Sequence, residues 1–269
     1  MTQIPISDPA DARIVAYTGL TDEALRRHRE GPEGDLAGIF ICEGTRVMSR
    51  ALAAGLRPVS VLVATDMIRR LPPLEEDVPV YVASPDLVET VIGFRFHRGF
   101  VAAFHRPAPL DPEVLARGSR RILICENMTN PTNLGVTIRS AAALGMDALL
   151  LDPTSCDPLY RRVVRVSMGS VFSFPFARLE RFPQGLELPK GLGFHLVGLS
   201  PEPDSVPIGE LDQAERMGLV LGAEGPGLSA ATMAHLDQIT HIPMQADVDS
   251  LNVGAAAAIA SYVVGGLTS

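Results

Sequence analysis

Tryptophan is absent from this chain of 269 residues, aromatic residues make up 5%, and lysine occurs once, at Lys190. With a hydrophobic fraction of 46%, the expected core is therefore aliphatic and alanine-rich. Cysteine is equally scarce: Cys42, Cys125 and Cys156 are widely spaced, odd in number and form no CxxC pair. That excludes a disulfide scaffold and a cysteine zinc site, and it points to free thiols in a reducing compartment. No basic flank precedes an apolar run at the N-terminus, so no signal peptide is expected. The apolar C-terminal stretch is too short and too rich in alanine to span a bilayer. No His/Cys/carboxylate set carries metal-ligand spacing, so no metal is expected. Together these absences make the cytoplasm the expected location.

A net charge of −8 argues against a wholly basic surface, not against a local basic face. All basic residues except Lys190 are arginine, which suits bidentate phosphate contacts and equally reflects a bias of genome composition. The length makes two domains the natural reading.

In the first half, strands are expected at Gly38–Ile41, Val59–Ala64, Val78–Val82 and Phe100–Phe104. Helices are expected at Thr21–Glu30, Glu43–Gly55 and Ser84–Val91, giving a compact α/β sandwich. Arg106-Pro107-Ala108-Pro109-Leu110-Asp111-Pro112 is the clearest boundary. The division is 1–105, a linker over 106–118, and 119–269. In the second half, strands are expected at Ile122–Cys125, Ala148–Leu151, Val171–Phe174, His195–Leu199, Leu219–Gly222 and Ile239–Ile242. Helices are expected at Val136–Leu144 and Leu159–Met168. This alternation predicts a mainly parallel sheet with ligands at the carboxyl ends of its strands.

Three polar clusters stand out. Glu126 to Arg139 is an Asn- and Thr-rich turn leading into a helix, which Thr132 or Asn133 would cap. Arg139 lies among residues that look buried, so it should meet an anionic partner or a ligand. Leu221 to Ser229 puts Gly222, Gly225 and Gly227 at a strand end, where backbone can approach a ligand, and Glu224 is its only charge. It is neither a P-loop nor a GxGxxG fingerprint. Thr240 to Asn252 ends on Asp249, Ser250 and Asn252 at the mouth of an alanine-rich helix, where a plain cap competes with a ligand site.

Taken jointly and in this order, Asn133-x-Gly135-x-x-x-Arg139, Gly222-x-Glu224-Gly225-x-Gly227 and Ile242-x-Met244 through Ser250-Leu251-Asn252 resemble the motifs of SpoU (TrmH-like) SPOUT RNA methyltransferases. The resemblance covers about residues 120 to 265. Residues 38 to 105 also look like the substrate-binding domain found ahead of many such enzymes, through Glu43-Gly44-x-Arg46 and His97-Arg98-Gly99-Phe100. Arg98 stands where glutamine is common.

The resemblance implies an α/β fold with a deep trefoil knot, preceded by a smaller α/β/α sandwich resembling a ribosomal-protein-like RNA-binding fold. It implies a homodimer that transfers a methyl group from S-adenosylmethionine to a ribose 2′-hydroxyl of RNA; the separate N-terminal domain favours ribosomal over transfer RNA. Gly222, Ile242 and Leu251 would contact the cofactor, and Asn133, Arg139, Glu224, Ser250 and Asn252 would form the catalytic set. Arg139 would stabilise the developing alkoxide, with Asn133 and Glu224 positioning it or the substrate. Two other readings compete: a non-catalytic RNA-binding protein of the same fold, and an α/β nucleotide-binding enzyme unrelated to RNA. Residues 1–105 are expected to bind RNA, and 119–269 to bind the cofactor alone. Arg161, Arg162 and Arg165 are candidates for the RNA-binding face, with Arg95 and Arg98 as the alternative.

Overall fold

The computed structural model describes residues 2–21, 25, 29–31, 33–96, 99–202, 204–245 and 250–266. The expected helix Thr21–Glu30 falls largely outside them, as do His97, Arg98 and Asp249. The chain forms two compact units, 1–108 with 159–172, and 109–158 with 173–269. The sequence division placed 159–172 with the second half; in the structure this stretch packs into the first unit.

The first unit holds a five-stranded sheet in the order β1-β4-β3-β5-β2. Its strands are β1 (Thr2–Pro5), β2 (Ile39–Glu43), β3 (Pro58–Ala64), β4 (Pro79–Ala83) and β5 (Phe100–His105). Helix α1 (Thr45–Ala53) buries Val47, Met48 and Ala51, the apolar stripe seen in its sequence. Helix α2 (Pro85–Ile92) starts at Ser84, whose hydroxyl accepts the Leu87 N–H, and stops at Gly93 in the left-handed region.

Into this unit comes the helix Arg161–Val166. Arg161 is 2% exposed and ion-paired with Glu43, itself 3% exposed. The Arg161 backbone N–H donates to Glu30 Oε1 at 2.7 Å, and its guanidinium lies 5.1 Å from the Phe94 ring centroid. Arg161 is thus no phosphate contact on a solvated face, and Arg162 and Arg165 are partly buried. A guanidinium taken out of water needs an anion, and Glu43 supplies it.

The second unit holds a seven-stranded sheet, parallel throughout, in the order β10-β12-β9-β11-β6-β7-β8. The strands are β6 (Arg121–Cys125), β7 (Ala148–Leu151), β8 (Phe176–Arg178), β9 (His195–Leu199), β10 (Val206–Pro207), β11 (Met217–Leu221) and β12 (Gln238–His241). Ile122 to Cys125 and Leu149 to Leu151 are buried, as strands covered on both faces must be. Helix α3 (Pro131–Ala143) packs against the C-terminal helix α4 (Val253–Val264) so closely that a Cβ on Gly254 would stand 2.7 Å from Val136 Cγ1.

Three expectations are corrected here. Helix α3 begins five residues before Val136: Asn130 caps it through the N–H groups of Thr132 and Asn133, with Pro131 in its first turn. The third strand lies at Phe176–Arg178, since Ser170–Phe172 forms a 3-10 turn in place of the start of the expected Val171–Phe174 strand. Within the expected linker, Asp111 caps a short helix, Pro112–Arg117.

Candidate active site

Parallel strands point their carboxyl ends to one edge of the sheet, where helix N-termini and loops leave polar backbone free. At that edge, the ends of β9, β11 and β12 and the N-terminus of α4 surround a cavity of about 330 Å³. After β11 comes the glycine loop. Ala223 and Gly227 close it by an antiparallel bridge, with the Gly227 N–H donating to the Ala223 carbonyl at 3.0 Å. Gly225 and Gly227 have φ of 94° and 70°, which side-chain-bearing residues rarely adopt. A Cβ on Gly222 would lie 2.1 Å from the Gly227 carbonyl carbon, so the loop folds tightly over its own start. We therefore expect Gly222→Ala to open the loop and abolish S-adenosylmethionine binding in calorimetry; unchanged affinity would show that the loop does not shape the cofactor site.

The polar residues converge on this loop. The Asn133 Nδ2–H donates to Glu224 Oε2 at 2.6 Å. Asn252 donates through Nδ2 to Asn133 Oδ1 at 3.2 Å and to Glu224 Oε1 at 3.4 Å. Asn252 Oδ1 accepts the Gly254 N–H at 2.9 Å, capping α4. Both amides are oriented by this network: the Asn252 oxygen is committed to the helix and the Asn133 nitrogen to the carboxylate. Capping and site-building are one act here, not alternatives. Because α3 starts at Pro131, Asn133 does not cap it; its side chain is free to reach Glu224 from the first turn.

Glu224, Ser250, Asn252, Gly222, Ile242 and Leu251 all line the cavity. Arg139 is not brought to the cluster. It is exposed and has no ion-pair partner among the described residues, contrary to the buried environment expected of it. Six residues of α3 place it roughly 120° around the axis from Asn133 and about 9 Å along it.

Sequence reasoning missed two members. Glu126 Oε2 accepts the Ser229 N–H at 3.0 Å and fastens the far end of the glycine loop to β6. His241 lines the cavity and meets Ser205 Oγ through Nδ1 at 2.9 Å. Glu126 was visible as a charge at a strand end, whereas nothing local marked His241.

The cavity fits S-adenosylmethionine in size and chemistry. Its volume is at the low end of small-molecule sites, and Leu199, Ile242, Met244 and Leu251 give apolar walls. Gly222 and Gly227 line it with backbone that carries no side chain, and Glu224, Ser250 and Asn252 supply a polar rim.

Comparison with known proteins places the chain. Residues 120–262 match the model of the SpoU rRNA Methylase family. An uncharacterized tRNA/rRNA methyltransferase of Mycobacterium bovis is 39% identical, over 96% of this chain and 90% of that protein. The 23S rRNA guanosine 2′-O-methyltransferase RlmP of Bacillus subtilis is 30% identical, over 83% of this chain and 87% of that protein. The crystal structure of the SpoU methyltransferase AviRb from Streptomyces viridochromogenes, in complex with the cofactor AdoMet, superposes with a TM-score of 0.77 at 25% identity, covering 96% of this chain and 99% of that one. On sequence and on fold, the chain belongs to the SpoU rRNA methylase family.

Proposed function

We propose that the protein is an S-adenosylmethionine-dependent RNA methyltransferase acting on a ribose 2′-hydroxyl, with ribosomal RNA as substrate. The observation that carries this reading is the closed Asn133–Glu224–Asn252 network at the rim of the cavity. A protein retained only for RNA binding has no need of that geometry. The family's methyltransferases, including a relative that acts on 23S rRNA, support the substrate class.

When bound, S-adenosylmethionine supplies an electrophilic methyl group that needs no activation by the protein. The work left to the residues is to hold the hydroxyl in line and stabilise the charge that develops on it. Each Glu224 oxygen accepts from an asparagine amide, which fixes the carboxylate while leaving it open to solvent on its exposed side. Arg139 serves the alkoxide and the neighbouring phosphate as a permanent cation, since a guanidinium does not give up its proton. The proton leaves through water or phosphate. Ser250 and Asn252 hold the mouth of the cofactor cavity.

A homodimer belongs to the same reading. Within one chain Arg139 stands away from the cavity, and Ile259 and Tyr262, one turn apart on α4, are 39% and 48% exposed. An apolar strip beside a catalytic helix suits a second copy of the chain. The family's trefoil knot, an RNA-binding role for the first unit, a cytoplasmic location and metal-independent chemistry complete the proposal.

The test is transfer of labelled methyl from S-adenosylmethionine to deproteinised 23S rRNA, followed by alkaline hydrolysis. We expect label in a hydrolysis-resistant dinucleotide, the mark of a 2′-O-methyl group. Protein that binds the cofactor yet labels no RNA would establish the non-catalytic reading instead.

A further inference from the structure

We propose that Arg46, Arg69 and Arg70 form the face of the first unit that grips RNA phosphates; this rests on the function proposed above. β2 and β3 both end where β5 begins, since Glu43 pairs with Val101 and Val63 with Phe100. Helix α1 leaves β2 there, and the 3-10 turn Thr65–Arg70 leaves β3 there. Both therefore deliver their arginines to one end of the sheet. The Thr45 hydroxyl donates to the Arg70 carbonyl at 3.0 Å, tying the start of α1 to the end of that turn.

All three arginines are exposed, and none has an ion-pair partner among the described residues. Against them stands one exposed carboxylate on these elements, Asp66, because Glu43 is buried and paired with Arg161. Asp8 and Asp11 follow β1, at the far edge in strand order, and Asp11 is bound to Arg13; Asp86 opens α2 after β4, the neighbour of β3, and is the nearest acid beyond these elements. In a chain of net charge −8, three adjacent cations repel one another with little local relief. Arg46 is also placed against local stability: it occupies the first turn of α1, where the helix dipole disfavours a cation. An ordinary solvated face would keep acids among its bases. This one is arranged for an anion with spaced charges, which describes a phosphate backbone. Contacts of that kind position the RNA and leave the choice of nucleotide to other residues.

The experiment compares the full-length wild type with the R46A/R69A/R70A variant, measuring affinity for deproteinised 23S rRNA over a range of salt. We expect the variant to bind more weakly and its log–log salt slope to be shallower by roughly 2–3, one phosphate contact being lost per arginine. S-adenosylmethionine affinity and thermal midpoint should stay at wild-type values. A variant with lysine at all three positions should keep most of the slope, because phosphate attraction survives in a point charge. A folded alanine variant with wild-type affinity and slope would overturn the proposed face. Wild-type protein that holds the cofactor but binds no RNA at any salt would instead overturn the functional reading, and this face with it.

Discussion

Replacing Arg161 with alanine is expected to destabilise the first unit by about 3–5 kcal/mol, the usual loss when one partner of a buried ion pair is removed. The side chain is 2% exposed, and its partner Glu43 is 3% exposed. Truncation takes the Arg161 guanidinium from the buried Glu43 carboxylate and from the Phe94 ring, while the backbone bond to Glu30 remains possible. The thermal midpoint of the unit should fall by roughly 10 °C or more. The double variant Glu43→Leu with Arg161→Met should recover much of the loss, since apolar replacement of both partners removes the desolvated charge as well as the attraction. A midpoint within about 2 °C of wild type for the single variant would show that the pair contributes nothing net.

Arg139→Ala is expected to lower methyl-transfer turnover by on the order of 10²–10³, the loss typical of one preorganised electrostatic donor. Because Arg139 is exposed and has no ion-pair partner among the described residues, the thermal midpoint should barely move. Cofactor affinity should hold too, as Arg139 does not line the cavity. Arg139→Lys should recover little, since lysine lacks the planar fork that grips alkoxide and phosphate together. A folded Arg139→Ala protein turning over within a few-fold of wild type would remove this residue from the catalytic set.

Much of the architecture was legible because it rests on local pattern. Continuous apolar runs such as Ile122 to Cys125 and Leu149 to Leu151 mark strands covered on both sides, and Gly222 to Gly227 announces a loop that needs positive φ. What stayed hidden depends on partners far away in sequence. Arg161, Arg162 and Arg165 follow surface spacing, and nothing near them signals Glu43, 118 residues earlier. The start of α3 was obscured because Asn127, Thr129, Asn130, Thr132 and Asn133 all have capping chemistry; geometry chose Asn130. Phe and Val at 171–174 favour a strand by propensity, yet their first residues turn into a 3-10 helix and the pairing falls to Phe176–Arg178. In the site, Asn133 and Glu224 are 91 residues apart, so motif order suggested their meeting while only the fold gives its hydrogen bonds.

The stretch 159–172 sets a schedule for the growing chain. A ribosome releases residues 1–108 first, but the unit they build also includes 14 residues that emerge after β6 and β7. Until Arg161 leaves the exit tunnel, Glu43 lacks this cation, and the first unit, whose five strands are already made, lacks its last helix. Domains that are continuous in sequence fold in order of synthesis. Here the N-terminal part must wait for the middle of the chain, and its completion coincides with the time when the second sheet already has its first two strands.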